Sequence, residues 1–353
     1  MHKLFYRDKP LIGLDISQTG IKVMSIDSVK WRVLGYGSVE LDPVQMHDAL
    51  ETDNYSYLSD NLNSLLKDKV IGALGSSHAV VGLPTSKTFS RTFTIPAAQE
   101  KNLAGAVEVE VDQYIPIPMS SLYVDYEVIE RTKDQLTVVL CAIPKKIVDN
   151  AVGACTDAGL RPVLVEPGIN AVSRVLVRTE EGHLPTLIVD IGPAMTDIAV
   201  LEGGVVRVSG GVSVGGNTFT LDIAKKLGVP LENAHQLKVL NGLNAGPRQA
   251  KITSALDPSL QRIAAETKKV IRYYIERLND NRKIEQVLVV GGGSNVPGIG
   301  DYFTNELVMA ARVASPWQQL DFAELTQPAK QFRPRYITAA GLASINGSEL
   351  FKL

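Results

Sequence analysis

The sequence predicts an α/β protein built by duplication, with mixed sheets flanked by helices and one inserted α+β unit. Three observations carry that expectation. An apolar strand ending in Asp, a turn of small residues and a second strand occur at Leu11–Val23 and return at Leu187–Val200. Each copy is followed by a third strand and then a helix. Between the copies, residues 86–161 break the pattern with strands and helices of their own. Strand, strand, strand, helix in both halves is the mark of an ancient duplication.

In the first half, Leu11–Ser17, Gly20–Ile26 and Trp31–Glu40 read as strands. Tyr55, Leu58, Leu62, Leu65 and Leu66 mark one face of a helix, and Ala79–Leu83 reads as a further strand. In the inserted unit, Leu103, Val107, Val111 and Tyr114 form an apolar helical stripe. Pro116 and Pro118 stop that helix, because proline cannot donate to its hydrogen-bond ladder. Strands at Leu122–Arg131 and Gln135–Ile143 follow, then a helix at Ile147–Ala158. The second half opens with strands at Thr186–Gly192, Thr196–Leu201 and Val205–Gly211 and a helix at Thr218–Lys226. Residues 230–279 are mostly helical, partly striped by Ile263, Val270, Ile271, Tyr274 and Leu278. The expected division is 1–85 with 162–185 and 338–353 as a first unit, and 86–161 as the insert. Residues 186–217 with 284–337 form the second unit, and 218–283 a small helical one.

Composition sets outer limits. A chain of 353 residues is too long for one ordinary core. With 45% apolar and 21% charged residues, it is packed rather than disordered. A formal charge of -2 gives no electrostatic case for nucleic acid. Cys141 and Cys155 form no Cys-x-x-Cys and read as buried thiols in a reducing compartment, and the five histidines lack metal-ligand spacing. No apolar stretch nears the ~20 residues that span a bilayer. Met1–Pro10 lacks the apolar run of a secretion signal. Residues Lys3–Arg7 are too short a segment to bury much in a membrane and read as a frayed terminus.

The two hairpins carry the chemistry. Asp15 and Asp190, at strand ends on either side of a cleft, are placed to hold Mg²⁺ directly or through waters. Backbone N–H groups of Ser17, Gln18 and Thr19, with the Lys22 side chain, would face β- and γ-phosphates. Gly192, Ala194, Met195 and Thr196 would do so from the opposite wall. Pro193 has no N–H, so the second loop offers one contact fewer. One Asp-Ile-Gly run alone is a strand ending in a tight turn; two copies with matching flanks point to a polyphosphate grip.

Other segments stay open between a role at the cleft and plain structure. At Val163–Ala171 a strand enters Glu166 and a helix leaves after Pro167. Glu166 would orient a water for attack on a γ-phosphate, or simply stabilise a helix start. Gly291-Gly292-Gly293-Ser294 after a strand would let backbone lie flat against a purine or ribose. A dinucleotide fingerprint would need glycine where Val296 stands, and a Walker-A loop is absent. Glu266 and Lys269 would hydrogen-bond adenosine hydroxyls, or form a solvated pair one turn apart. Gly215-Gly216-Asn217 opens a helix whose N–H groups would reach the phosphates, or it is turn chemistry.

The hairpins, the Glu166-Pro167 junction, the late glycine loop and a closing Thr338–Ala343 helix follow the order found in actin-like ATPases. The chain resembles that superfamily over essentially its whole length, which implies an actin-like (ribonuclease H-like) fold. An insertion after the first subdomain is similar to the FtsA arrangement. Val109–Pro118 resembles the Glu-x-Asp-Gln-Tyr-Ile-Pro run of the PilM family of type IV pilus assembly. Pro193 and Gly20 depart from that family's loops. The resemblance implies ATP and Mg²⁺ as cofactors, slow hydrolysis at most, and a cytoplasmic protein held at the inner membrane through partners. It also implies docking of the N-terminal cytoplasmic peptide of a PilN-like inner-membrane protein, around Ser86–Pro96, and a link to cytoplasmic pilus motor ATPases. The rival readings are an actin-like small-molecule kinase, which needs a further Asp as base, and an FtsA-like filament. The latter wants a membrane-binding helix, for which Phe351-Lys352-Leu353 leaves no room.

Overall fold

The structure is a computed structural model, describing residues 10–180, 184–244, 246–247, 249–278 and 283–350. The expectations for Lys3–Arg7, the Leu278 side chain, Asn279 and Phe351–Leu353 lie outside the described residues. In chain order the first half gives β1 (Ile12–Ser17), β2 (Gly20–Asp27), β3 (Arg32–Glu40), α1 (Pro43–Glu51), α2 (Ser56–Asp68), β4 (Ile71–Gly72) and β5 (His78–Leu83). Next come β6 (Phe89–Pro96), α3 (Leu103–Tyr114), β7 (Leu122–Arg131), β8 (Gln135–Pro144) and α4 (Lys145–Asp157). Then follow β9 (Arg161–Pro167), α5 (Gly168–Thr179), β10 (Thr186–Ile191), β11 (Thr196–Glu202), β12 (Val205–Val212), α6 (Gly216–Leu227), α7 (Leu231–Leu240) and α8 (Gln249–Leu278). The last are β13 (Gln286–Val290), α9 (Ile299–Leu307), β14 (Ala311–Val313) and α10 (Ile337–Ala343).

Helix α1 and strand β6 go beyond the elements read from the sequence. Helix α1 forms because Asp42 caps it, accepting from the Val44 and Gln45 N–H groups at 3.0 Å each, with Pro43 in the first turn. Tyr114 leaves the stripe assigned to it. It is 45% exposed, and the Arg91 guanidinium lies 3.3 Å from its ring centroid.

Among the described residues the strands form two mixed sheets, ordered β4-β3-β2-β1-β5-β9 and β14-β13-β10-β11-β12-β6-β8-β7. The duplication is visible in the register. Antiparallel β1–β2 pairs Asp15 with Lys22, and antiparallel β10–β11 pairs Asp190 with Asp197. Each leading strand has a parallel neighbour on its other side, β5 for β1 and β13 for β10.

Helices α5 and α10 fill the space between the sheets. Ile169, Val172, Leu176, Ala339, Ala340 and Ala343 pack with Met24 and Ile26 of one sheet and Ile188 and Leu288 of the other. The approach of α10 is close enough to demand glycine: a Cβ on Gly341 would lie 2.0 Å from the Ala171 carbonyl oxygen. This layer fixes the two hairpins relative to one another.

The segment 86–161 splits its packing. Phe93, Ile95, Val107, Val111 and Val138 share a small core, and the insert's strands β6, β8 and β7 extend the second sheet, β6 joining β12 at the pair Arg91–Val208. Helix α4 instead buries Ile147, Ala151, Ala154 and Cys155 against Met46, Leu58 and Leu62. Asn150 Nδ2 pins it by donating to the Ala49, Leu50 and Thr52 carbonyls at 3.1, 3.1 and 2.7 Å. We therefore propose ending the insert near Pro144 rather than at 161. Cys155 is buried and Cys141 half-buried; burial pushes their thiols up to about 12 and about 11. Among the described residues no helix is long and apolar enough to cross a membrane.

Candidate functional site

The turns of β1–β2 and β10–β11 face each other across a cavity of about 110 Å³. Asp15, Ser17, Gln18, Thr19 and Lys22 line it from one side, and Asp190, Gly192, Ala194, Met195 and Asp197 from the other. Gln18 Nε2 reaches across to Met195 Sδ at 2.8 Å, so the loops touch directly.

The charges on the two walls differ. Lys22 Nζ lies 3.1 Å from Asp15 Oδ2 and donates to Ser17 Oγ at 2.7 Å, which neutralises the first wall. At the corresponding register position of the second hairpin stands Asp197, beside Asp190. Burial first, then the Asp15 charge, push Asp190 up to about 7 against the pull of Lys22. Burial and the neighbouring Asp190 push Asp197 up to about 7, with the Thr85 hydroxyl acting the other way. Asp197 Oδ1 is buried and has no hydrogen-bond partner. Asp197 and Thr85 are site residues that sequence reasoning missed. The signal was present: Asp197 follows Asp190 at the same interval as Lys22 follows Asp15.

A second chamber of about 70 Å³ shares Gly192, Pro193, Gly292 and Arg335 with the first. Gly216, Asn217, His235, Lys238, Gly293 and Asn295 are among its other lining residues. Lys238 Nζ donates to the Gly216 carbonyl and Thr220 Oγ1, each at 2.7 Å. Burial, with Arg335 nearby, brings the Lys238 ammonium down to about 8, and burial lowers His235.

Several expected residues are not brought to these cavities. Glu166 is held by Arg174 through two bonds of 2.8 Å, and Arg174 also donates to the Gly341 carbonyl at 3.0 Å. Glu166 is paired bidentately on the α5 side and lines neither cavity, so it is not brought to where a water-orienting carboxylate would stand. Glu266 and Lys269 pair with each other at 2.9 Å on α8 and line a different cavity, beside Arg91 and Tyr273. The pair one turn apart that does reach the chamber is His235 and Lys238 on α7.

Thr196 is fully buried with its hydroxyl donating to the Val214 carbonyl at 2.8 Å. Ser294 turns inward to the Gly291 carbonyl at 2.7 Å. The N–H groups opening α6 are spent on the hairpin itself. Gly216 N–H donates to the Gly192 carbonyl at 2.9 Å, Asn217 N–H to the Pro193 carbonyl at 2.8 Å, and Gly215 N–H to Thr218 Oγ1 at 3.2 Å. A Cβ on Gly215 would lie 2.5 Å from the Gly192 carbonyl oxygen, so glycine there lets α6 brace the second turn. Bracing replaces the direct phosphate contact expected of Gly215, Gly216 and Asn217.

Among the described residues no three His, Cys, Asp or Glu side chains stand together as a ready metal cage. Asp15 and Asp190, close enough for one charge to raise the other, still fit a divalent cation that takes its remaining ligands from phosphates and water.

Comparison with known proteins fixes the fold and the family. The cell division protein FtsA of Escherichia coli K12 is 29% identical over 234 residues, covering 59% of this chain and 54% of FtsA. The chain thus spans about half the length of the curated relatives it matches. A solved PilM–PilN type IV pilus biogenesis complex aligns over 96% of this chain and 98% of its own, with TM-score 0.78 at 21% identity. The ethanolamine utilization protein EutJ of Carboxydothermus hydrogenoformans covers 96% and 90%, with TM-score 0.57 at 18% identity. MreB5 of Spiroplasma citri bound to ADP covers 98% and 96%, with TM-score 0.54 at 13% identity. These likenesses bear out the actin-like fold. The model of one family, type IV pilus assembly protein PilM, matches residues 13–345. The chain belongs to the PilM family of type IV pilus assembly proteins.

Proposed function

We propose that this actin-like pilus assembly protein binds MgATP in the cleft between its hairpins and docks a short cytoplasmic peptide of a PilN-like inner-membrane protein. The observation that carries the nucleotide reading is the register-matched pair of acid-bearing turns, closed over one cavity. Support comes from the MreB neighbour, solved with ADP. Lys22 and the N–H groups of Ser17, Gln18 and Thr19 would neutralise and orient phosphates from one side; from the other the Gly192–Met195 turn would bound them without the Gly192 N–H, which is given to the Met195 carbonyl at 2.8 Å. The base and ribose would occupy the chamber of Gly292, Gly293, His235 and Lys238.

Mg²⁺ between Asp15 and Asp190 would supply charge neutralisation for the phosphates. Asp197, with its free Oδ1 and a proton affinity near neutrality, is the residue placed to take a proton from water. One unassisted carboxylate makes for slow hydrolysis. Isothermal titration of the full chain with ATP in the presence of Mg²⁺ tests the reading; no heat at millimolar nucleotide would overturn it.

For the peptide, a groove of about 320 Å³ lies between α1 and α4 on one side and the insert on the other, lined by Phe89, Ile117, Pro144 and Ile147. Lys87 at its wall pairs with Glu51, and Lys146 with Asp53. An extended tail with apolar side chains and a polar backbone fits that lining. The partner named in the PilM–PilN complex supports the choice, and the protein would then sit at the inner membrane through that partner. Fluorescence polarisation with the labelled tail is expected to saturate, and Ile117→Asp, at a half-buried position of the lining, to abolish it; equal binding by that variant removes the groove.

The kinase rival has one observation in its favour. A cavity of about 640 Å³ shares Thr85 and Met195 with the phosphate end. Its charged walls are mutually paired, Arg91 with Glu110 and Lys269 with Glu266, which leaves little to hold a second substrate.

A further inference from the structure

Arg335 stands where the two cavities meet, outside both hairpins. It belongs to the short helical segment Lys330–Tyr336 ahead of α10 and lines both the hairpin cavity and the glycine-loop chamber. Its stem lies over Gly292, where an added Cβ would come 3.9 Å from Arg335 Cγ. Its guanidinium carbon sits 4.8 Å from the Phe332 ring centroid and the group is ion-paired to Glu40. Glu40 ends β3, opposite Gly20 of the first hairpin, and its side chain is 79% exposed.

An exposed carboxylate is a weak owner of a guanidinium, since water competes for both groups. A phosphate offers the same planar fork two parallel charge-assisted bonds. We propose that Arg335 is a nucleotide-positioning residue that clamps the polyphosphate where it joins the ribose, and that Glu40 competes with phosphate for its guanidinium. This rests on the nucleotide reading and adds to it a contact that neither hairpin supplies. The exchange is one ion pair for another, with no covalent step. In the free protein the Glu40–Arg335 pair bridges β3 to the segment before α10; in the complex the bridge opens.

The consequences have opposite signs. Removing the arginine weakens binding, removing its competitor strengthens it, and the second effect needs the first residue present. The test is calorimetric titration of the full chain, Glu40→Gln, Arg335→Gln and the double variant with MgATP, MgADP and adenosine. Arg335→Gln is expected to weaken ATP and ADP about tenfold or more while leaving adenosine within roughly twofold. Glu40→Gln is expected to tighten ATP roughly two- to fivefold, a gain that vanishes in the Arg335→Gln background. Arg335→Lys, keeping the charge without the fork, falls between. An unchanged or weaker Glu40→Gln, or the same gain without Arg335, overturns the competition. Adenosine weakened as much as ATP overturns the phosphate assignment. Wild-type protein that binds no ATP removes the nucleotide reading and this inference together, whereas wild-type binding with a flat Glu40→Gln removes only the inference.

Discussion

The two hairpins share a backbone and differ in charge. In the first, Asp15 faces Lys22 at 3.1 Å, so opposite charges meet and the wall is neutral. In the second, Asp190 faces Asp197, and each carboxylate is held up to about 7 by burial and by its acidic neighbours. The two copies share the strands, the register and the leading acid; one position differs, Lys22 against Asp197, and makes one wall neutral and the other acidic. A phosphate grip with a lysine on both walls would bind the anion without a cation. With acid on one wall, the site asks for a proton or a metal before it accepts a polyanion.

The largest expected effect comes from breaking the neutral wall. Lys22→Met strands a buried Asp15 carboxylate and removes the phosphate counter-charge. Removing one partner of a buried pair typically costs about 3–5 kcal/mol, so the midpoint of urea unfolding should fall clearly and ATP binding should vanish with it. If Lys22→Met unfolds at the wild-type midpoint, the first hairpin is not held by its ion pair.

The opposite change is expected at the acidic wall. Asp197→Asn removes a like charge beside Asp190, and the free protein at pH 8 should unfold at a higher urea midpoint than wild type. ATP affinity should stay within about threefold while any turnover falls by about a hundredfold. Turnover at the wild-type rate would take the proton-accepting role away from Asp197.

The same pair sets a pH dependence. With native values near 7 against an ordinary 3.8, the folded state binds more protons than the unfolded one between those limits. Stability contributed by these groups is full below pH 4 and is lost as pH rises toward 7. Urea midpoints of the free protein should therefore decline across that window, with a shallower slope in Asp197→Asn.

Both hairpins were legible because their signal is local: an apolar run, an acid, small residues, then a second strand. The register that puts Asp197 opposite Asp190 was also present, as a repeated interval, but an interval shows pairing only once the turn closes. What the sequence could not display was direction. Glu166 sits at a strand–helix junction that looks catalytic, yet Arg174 on α5 turns it away from the cleft. The N–H groups of Gly216 and Asn217 look free at a helix start, yet the carbonyls of Gly192 and Pro193 take them. Each partner comes from packing across elements.

The smallest expected effect separates two pairs that spacing alone cannot rank. Glu266–Lys269 on α8 and His235–Lys238 on α7 both stand one turn apart, so each could face a ribose. Lys269 has a side chain 73% exposed, and an exposed pair of that kind contributes about 0–1 kcal/mol. Lys269→Ala should leave ATP affinity within about twofold. Lys238, buried against the Gly216 carbonyl and Thr220, positions the floor of the chamber, so Lys238→Met should weaken ATP by about tenfold. A larger loss from Lys269 than from Lys238, measured side by side in one titration, would move the base from the α7 chamber to the cleft beside α8.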